Sequence, residues 1–332
     1  MAKIMCTGVA GFIGSHVQDA LIKKGHTVIG IDNMSGGFWR NINPETTFEP
    51  IELCDSHSVE RIFKKYKPEI VYHLAADATE GRSQFTPLSA TRNNLLASVN
   101  TFTSAIRNGA KKIIFTSSMS VYGDQKPPFD ESMETRPVDV YGVNKAATEK
   151  ILQILCEVHG VDWLILRPHN VFGERQNIRD AYRNVVGIFM NRIMHHKSPL
   201  IYGDGKQVRS FTYIDNITPC FIKALDVSKK IINIGPIETQ TINHLSQVIL
   251  TAFDSPLRSE SVADRPREVK YAHCTNDEAI KYLGYKTKVS FEEGIKRMVK
   301  WAKELGPQEM VYLDNLELVN SKTPITWQER LI

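Results

Sequence analysis

The sequence predicts an α/β fold, a doubly wound parallel sheet carrying a smaller C-terminal lobe. Three observations predict it. Short apolar runs alternate with longer amphipathic stretches through the first half, the rhythm of parallel strands covered on both faces by helices. A glycine-rich turn links the first run to the first amphipathic stretch. After about residue 168 the alternation breaks and the loops lengthen. At 332 residues the chain suits a main domain over 1–168 and a lobe over 169–332, with some segments returning to the main sheet and a tail from about 306.

Taken in order, Lys3–Thr7 reads as a strand, followed by the glycine turn and a helix over Phe12–Lys24 ended by Gly25. Thr27–Ile31 is the next strand. A helix over Ser56–Tyr66 precedes Pro68 and the strand Ile70–Leu74. A long helical pattern covers Leu88–Asn108, and Ile113–Ser117 is again a strand. Tyr141–His159 reads as a helix and Trp163–Arg167 as a strand closed by Pro168. In the lobe, helices are expected near Val185–His195, Ile242–Ala252, Asp277–Leu283 and Phe291–Lys303, and Gly203–Gly205 reads as a turn.

Hydrophobic residues make up 42% and charged residues 23%, ordinary for a soluble globular chain. The net charge of +4 is small and scattered, so no nucleic-acid partner is expected, while an anionic substrate is tolerated. Cys6, Cys54, Cys156, Cys220 and Cys274 are dispersed and odd in number. They suggest free thiols in a reducing, cytoplasmic setting rather than a disulfide framework or a metal site. No signal peptide and no membrane span is read from the chain.

Gly8, Gly11 and Gly14, spaced G-x-x-G-x-x-G, stand between strand and helix. Gly8 permits the tight turn, Gly11 lets backbone approach a pyrophosphate, and Gly14 lets helix pack on strand. The helix start offers N–H groups and a positive dipole end to phosphates. Asp32 ends the second strand, 18 residues beyond Gly14. A carboxylate there accepts from an adenosine ribose and repels a 2′-phosphate, which favours NAD over NADP on a Rossmann-type sheet. Asp55 reads equally well as an adenine contact or as the N-cap of the helix beginning at Ser56.

Tyr141 and Lys145 form a Y-x-x-x-K pair on one helical face. A lysine ammonium beside a phenol lowers its pKa toward working pH, preparing it to take a proton from a sugar hydroxyl. Ser118 follows the strand Ile113–Ser117 at its C-terminal end, where ligands bind in an open parallel sheet.

With these motifs the chain resembles an extended short-chain dehydrogenase/reductase, and within that group the UDP-glucose 4-epimerase family. The matching segments are TGVAGFIGSH, HLAADATEGRSQFTP, FTSSMSVYG, YGVNKAATE, LRPHNVFGERQN, YGDGKQVRSFTYIDN and LGYKTKVSFEEGIKRMVKW, in family order up to about residue 303. The resemblance implies Ser118, Tyr141 and Lys145 as the catalytic set, with Lys145 also on the nicotinamide ribose. It places Phe12, Ile13, Asn33, Leu74, Ala75, Ala76, Asn94 and Pro168 along the cofactor. It places Thr79 and Asn170 at the substrate, with Arg209 and Arg265 clamping the diphosphate, a role that suits arginine. The family's Arg-x-Gly-Asp reads Arg265-Pro266-Arg267-Glu268 here. His169 reads as a sugar or phosphate contact or as a satisfied loop residue, and Arg179 and Arg183 as phosphate contacts or a solvated face.

Three reactions are open on this scaffold: 4-epimerisation, 4,6-dehydration and 4-keto reduction. Dehydratases of the family typically carry Asp-Glu two residues before the Tyr-Gly that follows the catalytic serine or threonine; here Ser118-Met119-Ser120-Val121-Tyr122 has no acid. Asp32 argues against an NADPH-dependent reductase. A 4-epimerase holding NAD and acting on a nucleotide-diphosphate sugar remains. Asp77 departs from the small or neutral residue expected at its position, and a small side chain at Ala272 leaves width for an N-acetylated sugar. A redox-sensing module that binds NAD without turnover is the reading from another class; such modules lose the tyrosine or the lysine, and both are present. The resemblance also implies a homodimer built on Leu88–Asn108 and Tyr141–His159, with Leu95, Leu96, Val99, Ile151, Leu152 and Leu155 as apolar candidates.

Overall fold

The computed structural model describes all 332 residues. The chain lays down β1 (Lys3–Thr7), β2 (Thr27–Ile31), β3 (Thr47–Glu49), β4 (Ile70–His73), β5 (Lys112–Thr116) and β6 (Asp162–Pro168). A seventh strand, Lys230–Ile234, arrives from the C-terminal half and pairs with β6. The order across the sheet is Lys230–Ile234, β6, β5, β4, β1, β2, β3, and every pairing is parallel. The order reverses between β1 and β4, so a crevice opens at the C-terminal ends of these strands. The strands read as continuous apolar runs because both faces are covered: all five residues of β5 are buried.

Helices α1 (Phe12–Lys23), α2 (Ser56–Tyr66), α3 (Glu80–Ser83), α4 (Pro87–Thr91), α5 (Ala97–Arg107) and α6 (Val140–His159) cover the sheet. Proline begins α4, where its missing N–H costs nothing. The long helix expected over Leu88–Asn108 is interrupted: Arg92–Leu96 forms a π turn between α4 and α5. Such a turn adds a residue to the repeat and swings Asn94 inward. Helix α6 begins at Asp139, whose carboxylate accepts from the Gly142 N–H at 2.8 Å, and ends at left-handed Gly160.

The C-terminal half holds α7 (Val185–Met194), α8 (Ile214–Lys223), α9 (Ile242–Phe253), α10 (Phe291–Leu305) and α11 (Ile325–Gln328), with a π turn at Ala279–Leu283 within the helix expected over Asp277–Leu283. Helix α8 was not expected from the sequence. It contains Pro219, which forfeits a backbone bond, and forms because Ile214, Ile217, Cys220 and Phe221 bury one face. One continuous core joins Val17 and Leu21 of α1, Ile217 and Phe221 of α8, Ile249 of α9 and Met298 of α10. The opposite face is closed by Phe63, Phe102, Phe115 and Leu152. A buried ion pair, Arg167 of β6 with Glu149 of α6, locks that helix to the sheet. No helix is long and apolar enough to cross a membrane.

The tail is ordered. Val311 exchanges backbone hydrogen bonds with Arg179 and Ala181. The Glu317 carboxylate then accepts from the Leu88 and Ser89 amides at the start of α4. Trp327 packs edge-on against Phe85 and Tyr182.

Candidate active site

A cleft of about 780 Å³ runs along the C-terminal ends of the central strands and is lined by residues from both halves of the chain. The glycine turn forms one end. Gly8 has φ +70°, and a Cβ on it would lie 2.7 Å from the Ala75 backbone. A Cβ on Gly14 would lie 2.1 Å from the Gly8 carbonyl oxygen. No side chain caps α1, so the amides of its first turn remain available to a phosphate. Asp32 stands behind the turn. One of its oxygens accepts from the Ala10 N–H at 3.0 Å and the other from the Met34 N–H at 2.8 Å. Burial raises its pKa and those amides oppose the rise. The turn is a backbone cradle with a carboxylate behind it, which suits a dinucleotide. Phe12, Ile13, Asn33, Leu74, Ala75, Ala76 and Pro168 also line the cleft.

Three expected contacts lie elsewhere. Asp55 is exposed, and its carboxylate caps α2 by accepting from the His57 and Ser58 amides; Ile51, Glu52 and Leu53 form the edge of the cleft instead. Asn94 is buried behind the wall. It accepts from the Asp77 N–H at 3.1 Å and donates to the Asp77 and Ala90 carbonyls, so it shapes the loop after β4 and leaves the surface to Asn93 and Ala97. Thr79 is also buried, its hydroxyl spent on the Asp77 carboxylate.

Ser118, Tyr141 and Lys145 meet in the middle of the cleft. Ser118 caps the short helical turn Met119–Tyr122, and its hydroxyl lies beside the Tyr141 phenol. The Tyr141 N–H donates to the Ser83 hydroxyl at 3.1 Å, which ties α6 to the loop after β4. Lys145 donates to the Thr116 carbonyl at 2.8 Å, and its ammonium stands 5.7 Å from the Tyr141 ring centroid. The expectation that lysine lowers the tyrosine pKa does not hold in the protein alone. Burial, reinforced by Glu80, pushes the phenol well above its ordinary value. Burial also brings Lys145 down to about 7, against the pull of Glu149. Desolvation dominates both shifts, and Lys145 holds its proton only up to about neutral pH, with Glu149 favouring the charged form.

Beyond the tyrosine lies a polar wall. Asp77 lines the cleft but its charge is absorbed by Arg82, with Nη2 to Oδ2 at 2.5 Å. Asn170 is exposed to the cleft at φ +27°, braced by its bond to the Ser210 carbonyl. His169 turns away into the interior, fully buried with neither ring nitrogen partnered. Burial holds its pKa at about 3, so it is a neutral packing residue and no sugar contact. Arg209 donates to the Val208, Val269 and Lys270 carbonyls, and burial lowers its pKa. Arg265 is paired through two bonds with Glu268 and stacks 4.6 Å over the Tyr202 ring. Arg183 pairs with Asp180 at 2.9 Å, and Arg179 stacks over Phe38. All four arginines line the cleft, as does Ala272.

Sequence reasoning passed over Glu80, Ser83 and Asp139. Glu80 and Asp139 place two further carboxylates beside Tyr141. Asp139 is raised to about 7, by burial first and by Glu80 second. The available signal was a charged residue in the loop leaving a central strand. Val311, Tyr312, Leu313 and Trp327 of the tail complete the wall.

Residues 4–235 match the model of the NAD dependent epimerase/dehydratase family. The chain belongs to this family. A putative UDP-glucose 4-epimerase of Methanocaldococcus jannaschii is 34% identical over 90% of this chain and 98% of its own. A UDP-glucuronate 4-epimerase of Thermodesulfobacterium geofontis is 30% identical over 97% of this chain and 99% of its own. Among solved structures, a UDP-glucose 4-epimerase of Thermotoga maritima bound to UDP-glucose superposes with a TM-score of 0.88, at 32% identity over 91% of this chain and 99% of that one. Membership in an NAD-dependent family agrees with the glycine cradle and the carboxylate behind it.

Proposed function

We propose that the protein is a nucleotide-sugar 4-epimerase acting on UDP-hexoses, with UDP-N-acetylhexosamines also within its range. The convergence of Ser118, Tyr141 and Lys145 on one cleft, beside the glycine cradle, carries this reading. The cradle of Gly8, Gly11 and Gly14 with Asp32 would hold NAD, and Lys145 would hold its nicotinamide ribose. When bound, NAD supplies a reversible hydride acceptor for C4 of the sugar. Tyr141 takes the proton of the C4 hydroxyl and later returns it, and Ser118 holds the reacting oxygen. A charged Lys145, supported by Glu149, brings the phenol toward deprotonation. Asn170, Arg209 and Arg265 hold the diphosphate, and small Ala272 gives width to the sugar pocket. The smaller lobe is the substrate-binding part.

Dehydration has less support. Met119–Tyr122 carries no acid, Asp139 is committed to capping α6, and Asp77 is neutralised by Arg82. We also infer a homodimer through the α4–α5 and α6 faces, where Leu88, Leu96, Val143, Ile154 and Val158 are exposed. Five free cysteines favour a cytoplasmic setting.

The test is incubation of purified protein with UDP-glucose and catalytic NAD, followed by NMR. UDP-galactose without net NADH is expected, and Tyr141→Phe should lower the rate by about 10²–10⁴-fold. A 4-keto-6-deoxy product would make the enzyme a dehydratase. Bound NAD with no turnover of any UDP-sugar would favour the sensing module.

A further inference from the structure

Glu80 is the one carboxylate near Tyr141 that the molecule leaves unmatched. It begins α3, directly after the loop leaving β4, and its side chain is open to the cleft. Apart from its own amide, no donor reaches it. The arginines nearest to it are occupied: Arg265 by Glu268, Arg183 by Asp180, and Arg209 by backbone carbonyls. Of the other charges around Tyr141, Asp77 is paired with Arg82, Asp139 caps a helix, and Lys145 points at the Thr116 carbonyl.

The position of Glu80 is fixed with respect to the catalytic tyrosine. The Ser83 hydroxyl donates to the Glu80 carbonyl at 2.7 Å and accepts the Tyr141 N–H at 3.1 Å. On the other side, a Cβ on Gly81 would touch Arg265 at 3.5 Å and the Trp327 ring at 3.6 Å. The serine therefore ties the Glu80 backbone to the start of α6, and the Glu80 side chain stands on the cleft wall near Arg265. An anionic diphosphate would draw on Arg209 and Arg265, the cations that now offset Glu80 from a distance.

Resting on the epimerase reading, we propose that Glu80 sets the sugar specificity. Its carboxylate accepts hydrogen bonds from hydroxyl or amino groups of a neutral or amino hexose, and it excludes a uronate. Burial raises the Glu80 pKa while Arg265, Arg209 and Arg183 oppose the rise; with the diphosphate drawing on Arg209 and Arg265, a sugar carboxylate would meet the ionised Glu80 as a like charge in a low-dielectric cleft. Of the two sugar classes named for the relatives above, the glucuronate class is the one refused.

The experiment compares kcat/KM for UDP-glucose, UDP-N-acetylglucosamine and UDP-glucuronate in the wild type, Glu80→Gln and Glu80→Asp. The wild type should use UDP-glucuronate at least roughly a hundred-fold less well than UDP-glucose, the scale of a like-charge clash. Glu80→Gln should raise the glucuronate-to-glucose ratio by about tenfold or more, and Glu80→Asp should leave it low. A wild-type ratio near one, or a ratio unmoved by Glu80→Gln, overturns the proposal. Retained NAD with no turnover of any of the three sugars refutes the epimerase reading instead. Glu80 is then judged by competition of UDP-glucose and UDP-glucuronate against bound UDP, where the same change of ratio is required.

Discussion

Glu149 of α6 and Arg167 of β6 meet fork to fork, Nε to Oε1 at 2.9 Å and Nη2 to Oε2 at 2.6 Å, both side chains almost wholly out of water. The remaining guanidinium nitrogen donates to the Tyr122 hydroxyl, which donates on to Asn233. Every polar atom of the pair is therefore used. Glu149 lies one turn beyond Lys145 and is the first group that supports the lysine's charge.

Removing one member leaves the other as a lone buried charge. Glu149→Leu or Arg167→Leu should each cost about 3–5 kcal/mol in denaturant unfolding, and the double variant should cost less than the sum. Glu149→Leu should also move the alkaline limb of the pH–rate profile downward, because Lys145 would then lose its proton below the present value of about 7.

Asp32 and Asp55 should separate cleanly. Asp32→Ala should weaken NAD binding and reduce the preference for NAD over NADP, read by titration calorimetry. Asp55→Ala should leave NAD affinity unchanged and cost about 1 kcal/mol of stability, because it removes only a helix cap.

Acid should be felt through His169. Burial holds its folded pKa at about 3, below the ordinary 6.5. Between these values the unfolded chain binds a proton that the folded protein refuses. The stability it contributes is complete above pH 6.5 and is lost as pH falls toward 3, by about 1.4 kcal/mol per pH unit. Denaturant unfolding should show His169→Met gaining on the wild type between pH 7 and pH 5. Parallel curves for the two proteins would contradict this.

Trp327→Ala should cost about 3–5 kcal/mol, since the ring is buried between Phe85 and Tyr182. It should also raise KM for the UDP-sugar while leaving NAD affinity alone, because the ring borders Gly81 and Arg265 and lies away from the glycine cradle.

The main sheet was legible in the sequence because strands covered on both faces are plain apolar runs, and α2 begins and ends where its cap and pattern say. Helix α8 was not legible, because Pro219 argues against a helix and only tertiary burial of Ile217 and Phe221 overrides it. The serine, tyrosine and lysine were legible because their spacing carries chemistry. Asp55 stayed open between two readings because a cap and an adenine contact ask for the same residue type, and the structure shows the cap. Glu80 stayed hidden because nothing in its local pattern marks it, and the docking place of Trp327 was not legible because the two are 247 positions apart and only the folded tail brings Trp327 against Gly81.

The strand Lys230–Ile234 has a practical meaning for exchanging specificity between enzymes of this kind. It follows α7 and α8, completes the sheet beside β6, and is itself followed by α9 and α10. A chimera joined at Pro168 would trade away the end strand of the recipient's own sheet, and with it α8, whose Phe221 carbonyl receives the Tyr72 hydroxyl from beneath β4. Grafts should instead be short patches, such as 77–83, 265–272 and 307–332, swapped as a set on an unbroken sheet.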